Sequence, residues 1–175
     1  RDLELLQKEN VEFFEVLGRE VRVSGEFEGQ KLKGFIDRLD SFHPGQVRVV
    51  DYKTGKVLDD DEKITDDNAE AIAEKIFAED TKERPKIALQ FLIYDLLVQD
   101  HPLAKGRQIY NCVYSTARLF KEPPLNVPRN EKFFEAVSRR LGDTLQEMYS
   151  LDVPFRRTKD EKVCEYCDFK MICGR

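Results

Sequence analysis

Residues 34–56 read Gly34-Phe35-Ile36-Asp37-Arg38-Leu39-Asp40, then Ser41-Phe42-His43-Pro44-Gly45-Gln46, then Val47-Arg48-Val49-Val50-Asp51-Tyr52-Lys53-Thr54-Gly55-Lys56. Two strand-like runs flank a Pro-Gly turn, which predicts a hairpin. In the second run Asp51 and Lys53 are two apart, so the strand period points both side chains to one face, away from Val50 and Tyr52. The turn is short, so Asp37 on the first run comes alongside Asp51. Two carboxylates and an ammonium then share one patch. Asp and Lys are poor strand residues, and placing them in a Val-rich run costs stability unless they face water or bind something. Paired carboxylates repel each other and suit a hard cation such as Mg²⁺, which prefers carboxylate oxygens, keeps several waters and activates one of them. The lysine beside them supplies a cation or proton donor for the attacking water, or for charge developing on a phosphoryl oxygen. Thr54 and Gly55 end the strand.

Upstream, Leu3, Leu6, Phe13 and Leu17 recur at near-helical intervals and predict an amphipathic helix over residues 2–17, stopped by Gly18. Val21, Val23 and Phe27 alternate as a strand over residues 20–27, and Glu28-Gly29-Gln30 turns the chain into the run that carries Asp37. Downstream, residues 57–68 are acidic without an apolar period and read as a loop beside the site. A short helix follows over residues 69–78, with a break at 80–84. Pro85 suits the first turn of a helix running to about residue 100, apolar nearly all round and therefore buried. Within it Gln90 and Tyr94, four apart, put their polar ends on one face and need partners, which backbone at the core edge would supply. Residues 107–115 form a further strand, extended as a hairpin by Leu119-Phe120, and Pro123-Pro124 and Pro128 make an irregular connection. Asn130 caps a final helix in which Phe134, Val137, Leu141, Leu145 and Met148 form a core stripe. The fold class is α/β, with helices packed on a mixed sheet in the order α-β-β-β-α-β, followed by a C-terminal helix and a cysteine-rich tail.

The 175 residues suit one domain, residues 1–175, with an acidic insertion at 57–84 and the tail at 160–175. Opening on Arg-Asp-Leu rather than Met, the chain reads as a fragment of something longer. No apolar run approaches the roughly 20 residues that cross a bilayer, and no leader is visible, so the expectation is a cytoplasmic protein without membrane contact. The net charge of −5 argues at first against a nucleic-acid partner. Residues 59–84, however, hold 11 of the 34 acidic groups and 4 of the 29 basic ones, so the acidic excess is local. Arg139, Arg140, Arg156, Arg157, Lys159, Lys162 and Lys170 gather late, where they either track a phosphate backbone or form a solvated face.

Four cysteines in a chain with no secretory signal do not imply disulfides. Cys112 lies in a predicted buried strand and reads as a small core residue. Cys164-x-x-Cys167 followed by Cys173 has the short spacing that brings thiolates together around a soft metal.

Taken together, Gly34-x-Ile36-Asp37-Arg38-x-Asp40, the run Asp51-Tyr52-Lys53-Thr54-Gly55-Lys56, Gln90-x-x-x-Tyr94 and the Cys164, Cys167, Cys173 cluster resemble the PD-(D/E)XK nuclease superfamily, and within it the RecB and AddB nuclease domains. The resemblance runs from about Glu20 to the C-terminus. It implies a restriction-endonuclease-like core and a Mg²⁺-dependent (or Mn²⁺-dependent) deoxyribonuclease. The activity expected is exonucleolytic, in DNA repair or recombination and beside a helicase domain or subunit, with DNA as partner. Asp37, Asp51 and the backbone carbonyl of Tyr52 are the implied metal ligands, Lys53 is the catalytic cation, and Gln90 and Tyr94 orient Lys53 or contact DNA. The superfamily often completes the metal shell with an acidic residue or histidine from the first helix; Glu15 and Glu20 are the candidates, and the usual histidine is missing. Asp40 is expected to bind a turn amide and His43 to be exposed in the turn. In the AddB-like relatives a distant N-terminal cysteine joins the other three on a 4Fe-4S cluster, and no cysteine precedes Cys112 here. The alternatives are a nuclease-like domain that no longer cuts and serves as a DNA-binding scaffold, and a metal-binding interaction module built on the cysteines.

Overall fold

The N-terminal helix α1 (Asp2–Glu9) stops well before Gly18, because Asn10 takes a left-handed conformation (φ 53°) and its N–H turns back to the Gln7 carbonyl. The helix expected over residues 2–17 is thus only its first half. Phe14 instead stacks on Phe42 at 4.9 Å, and Glu15 and Val16 find strand partners in Ser41 and Asp40. Helical spacing of four apolar residues is outweighed here by ladder hydrogen bonds and an aromatic pair. The computed structural model describes residues 1–55, 57–78, 83–121, 124 and 126–174.

From Glu15 the chain runs as β1 (Glu15–Phe27), turns at Glu28 and Gly29, and returns as β2 (Gln30–Ser41), then passes Pro44 and Gly45 into β3 (Gln46–Lys53). Gly45 at φ 78° supplies the turn conformation that only glycine adopts without strain. The short helix α2 (Asp59–Glu62), then α3 (Ala69–Phe77) and α4 (Lys86–Val98), carry the chain over to β4 (Gln108–Ser115), parallel to β3. A crossover of this kind is what a parallel pair requires. The edge strand β5 (Asn126–Pro128) pairs antiparallel with β4, and α5 (Glu131–Tyr149) follows, its Asn130 cap accepting the Phe133 N–H at 2.8 Å. The mixed sheet has the order β1-β2-β3-β4-β5. This is the α/β restriction-endonuclease-like arrangement expected from the element order.

Helix α4 lies on one face of the sheet, burying Phe91, Leu97 and Val98 against Ile36, Val49 and Val113, while α3 and α5 pack behind it through Ile72, Leu92 and Val137. The other face takes α1, where Leu5 meets Phe42, Val50 and Tyr114. Cys112 is fully buried in this second cluster, as read from the sequence.

Several local expectations give way. Residues 57–68 are not simply a loop, since they contain α2, whose Asp61 is buried and holds the start of α4. Leu119-Phe120 does not extend β4; a 3₁₀ turn (Thr116–Arg118) intervenes, Phe120 is exposed, and β5 supplies the pairing instead. Pro128 belongs to β5, and an edge strand tolerates the missing N–H. The α5 stripe is core only in its first half, because Met148 is 51 % exposed. The break placed at 80–84 and the Pro123-Pro124 connection fall partly on residues outside the described set, as does Lys56. No helix of the described residues is long and apolar enough to cross a membrane.

Candidate active site

The site forms where the sheet splits. β2 and β3 are paired from Asp40↔Arg48 to Arg38↔Val50 and no further, while β1 and β2 stay paired to Phe27↔Gln30. Beyond the split the Tyr52 N–H has no strand partner on β2, and Asp37 Oδ2 accepts it at 2.8 Å. The alternation of β3 then sends Asp51 and Lys53 to the α4 side and Tyr52 to the other, where its ring lies 5.5 Å from that of Tyr114.

Asp51 is only 2 % exposed. Lys53 Nζ sits 2.6 Å from its Oδ2 as an ion-pair contact, yet that oxygen has no partner of hydrogen-bond geometry. Gln90 Nε2 donates to Asp51 Oδ1 at 3.1 Å, and Gln90 Oε1 accepts from Lys53 Nζ at 2.8 Å. Tyr94 OH accepts from Gln90 Nε2 at 2.7 Å and donates to the Phe35 carbonyl at 2.8 Å. The amide of Gln90 is therefore held at both ends and fixes Lys53 against Asp51. Desolvation raises the Asp51 carboxyl above the usual carboxylate range; Lys53 and Gln90 oppose that shift, and the nearby charge of Asp37 reinforces it. Burial also raises the Tyr94 phenol, which stays neutral and serves as a hydrogen-bonding group.

Of the residues singled out in the sequence, Asp37, Asp51, Tyr52, Lys53, Gln90 and Tyr94 converge on one place. Glu20 belongs to β1, as the strand expected over residues 20–27 has it, and the register Arg19↔Arg38, Val21↔Ile36 places it across from Asp37. It has φ 49° and lines an open concavity with Arg19, Asp37 and Tyr52. Glu15 is at the other end of β1, against Ser41. Arg19 escaped the sequence reading because the expected end of the helix obscured where β1 begins. Asp61 escaped it too. Its Oδ1 accepts the Ile87 and Ala88 N–H groups at 3.0 Å each, and its Oδ2 accepts that of Leu58, so one carboxylate holds the first turn of the helix that presents Gln90. Nothing in the run Asp59-Asp60-Asp61-Glu62 marks which acid turns inward.

Two other expectations are corrected, and the late basic run shows its partners. Asp40 binds no turn amide among the described residues; it is fully buried and takes the Arg48 guanidinium in two hydrogen bonds, 2.6 and 2.8 Å, with Arg38 Nε also 2.8 Å from its Oδ2. His43 is half-buried and 3.4 Å from Glu9. Arg139 and Arg140 pair with Glu70 and Glu74 of α3 at 2.7 and 2.9 Å, so the acidic excess of that region is partly neutralised by α5. Among the described residues no group of three or more His, Cys, Asp or Glu is arranged to hold a metal ion, and Cys164, Cys167 and Cys173 are not drawn together into one.

A pair of carboxylates fits a divalent cation here on physical grounds. Asp51 is buried with Lys53 against its Oδ2, Asp37 offers a second carboxylate whose charge reaches it, and Lys53 alone does not offset the burial of Asp51.

Among solved structures, the protein described as SSO0001 is 19 % identical, the match covering 98 % of this chain and 66 % of that one with a TM-score of 0.44; the chain thus spans about two thirds of its length. No curated protein matches. The family model for the PD-(D/E)XK nuclease superfamily matches residues 2–174, nearly the whole chain, and the chain belongs to that superfamily.

Proposed function

We propose that the chain is a Mg²⁺- or Mn²⁺-dependent deoxyribonuclease of the RecB and AddB type, acting as an exonuclease in repair or recombination alongside a helicase, in the cytoplasm. The observation that carries this reading is the buried, incompletely neutralised Asp51 beside Lys53, with Gln90 holding both. Asp37, Asp51 and the Tyr52 carbonyl are the ligands for the ion, with Glu20 rather than Glu15 as the flanking acid. The ion, when bound, supplies Lewis-acid polarisation of the phosphate and an acidified water.

The rest is the work of the chain. Lys53 places a positive charge where the phosphoryl oxygens become more negative during in-line attack, and keeps it there because Gln90 Oε1 and Asp51 restrain the ammonium. Tyr94, anchored on the Phe35 carbonyl, stops the Gln90 amide from rotating. Asp37, bonded to the Tyr52 N–H, ties β2 to β3 just past the point where their ladder ends, and would offer the ion its second carboxylate. For Cys164, Cys167 and Cys173 the proposal is a 4Fe-4S cluster in a longer parent protein, with the fourth ligand outside this chain; its check is iron and sulfide content of that parent.

The test is a cleavage assay on single- and double-stranded DNA with Mg²⁺, with and without chelator. The parent chain is expected to cut only with the ion, and Lys53→Ala to retain DNA binding without turnover. Equal cleavage by Lys53→Ala overturns the assignment. DNA binding with no cleavage by the parent supports instead a nuclease-like scaffold, a reading against which the intact Asp37, Asp51 and Lys53 stand.

A further inference from the structure

Past the split, β1 and β2 continue as a two-stranded ribbon of seven registered pairs, from Val21↔Ile36 to Phe27↔Gln30. One face of the ribbon lies on α4. Val23 is buried there, and a Cβ on Gly25 would come within 3.1 Å of Leu97, one on Gly34 within 3.5 Å of Tyr94. At its tip Tyr149 of α5 donates to Gln30 at 3.1 Å. The ribbon is therefore braced.

Strand alternation puts Arg22 with Phe35, Ser24 with Lys33, and Glu26 with Lys31 on the other face, and all six are exposed. Phe35 is 63 % exposed although it neighbours the buried Ile36. The side chains of Arg22, Lys31 and Lys33 make no ion pair or hydrogen bond among the described residues, whereas Arg38, Arg48, Lys75, Arg139 and Arg140 each have carboxylate partners. Three unpaired cations against one carboxylate, Glu26, leave this face positive in a chain whose net charge is −5. The row leads to Asp37, two residues from Phe35 on the same strand and about 7 Å along it at the usual strand rise.

We propose that this outer face is the track that delivers an unpaired nucleic-acid strand to the Asp37, Asp51 and Lys53 site, with Phe35 stacking on a base and Arg22, Lys33 and Lys31 meeting phosphates. The inference rests on the nuclease reading for its direction, toward the carboxylates. Its chemistry is independent of that reading: an exposed aromatic ring flanked by free cations suits an unpaired strand, in which bases offer their faces, and not a duplex, in which they are stacked away.

The experiment is fluorescence anisotropy with a labelled oligo-dT and with a blunt duplex of equal length, in chelator so that nothing is cut. Phe35→Ala is expected to weaken oligo-dT binding about 10-fold while leaving duplex binding unchanged, and Phe35→Tyr to restore it. Arg22→Ser with Lys33→Ser should flatten the log-log salt dependence for oligo-dT by roughly 1.4, for two lost phosphate contacts. All three positions are exposed, so circular dichroism should be that of the parent. Equal oligo-dT affinity for Phe35→Ala and the parent overturns the track, as does a parent that binds neither probe, or an equal loss on both. A parent that shows the Phe35 dependence yet never cuts with Mg²⁺ leaves the track standing and removes the nuclease reading. Cleavage without Phe35 dependence does the reverse.

Discussion

Asp40 and Asp51 sit on neighbouring strands, are equally removed from water, and have opposite surroundings. Asp40, on the α1 side of the sheet, has two guanidinium groups around it. Those cations are themselves covered, Arg48 by Phe42 at 3.9 Å and Arg38 by Phe14, Tyr52 and Tyr114 at 5.3–5.7 Å. Asp2 adds a second carboxylate on Arg38 at 3.1 Å. Asp51, on the α4 side, has one ammonium, shared with an amide, and the unfavourable charge of Asp37 close by. A buried charge with all its partners inside the chain stabilises an arrangement; one left short of positive charge is a site for something that arrives from outside.

That contrast is broken most forcefully at Asp40. Asp40→Ala leaves the buried Arg48 guanidinium without its anion and Arg38 with Asp2 alone, and should cost about 3–5 kcal/mol of stability, read by urea denaturation, with cleavage falling only as the folded fraction falls. Lys53→Ala should act chiefly on catalysis, lowering the cleavage rate of the folded protein about 10²–10³-fold, while the Asp51 carboxylate it leaves without a cation lowers the denaturation midpoint by less than Asp40→Ala does.

A third buried acid sharpens the comparison. Asp95 of α4 lies between α4 and β4 and, among the described residues, has only Asn111 Nδ2 bonded to it, at 3.3 Å to each oxygen, and desolvation pushes its carboxyl up to about 7. Its folded pKa is above its unfolded one, so the native state holds the extra proton and stability is lost as pH rises from about 4 through 7. Asp95→Asn should remove a pH dependence on the order of 2 kcal/mol from the difference between denaturation at pH 5 and at pH 8. A variant with the parent's slope would show that Asp95 is ionised and solvated. The smallest effect is expected at Gln90. Gln90→Ala releases Lys53 without removing its charge and should lower kcat about 10-fold, with KM and the denaturation midpoint close to those of the parent.

What the sequence displayed of this arrangement depended on how local the cause was. The β2–β3 hairpin, the common face of Asp51 and Lys53, and the Gln90-Tyr94 pair follow from the periods of two and four, which act within one element. The split of the sheet at Asp37 does not, because it is set by where pairing with β3 stops and pairing with β1 continues, a property of three strands at once. The end of α1 was misplaced for a similar reason. Phe13 and Leu17 fit a helix, but Phe14 has a partner in Phe42, nearly 30 residues on, and the strand wins. Asp61 and Asp40 were invisible as buried acids, since only the fold decides that one faces the amides of α4 and the other two arginines.

The most direct measurement is the thermal stability of the parent and of Asp51→Asn as Mn²⁺ is titrated from a chelated baseline. If the charge on Asp51 awaits a cation, the variant without ion is at least as stable as the parent, the parent's melting temperature climbs with Mn²⁺, and the variant's stays flat. An equal rise in both proteins, or a variant destabilised as Asp40→Ala is expected to be, would show that Asp51 is a structural acid and contradict the account.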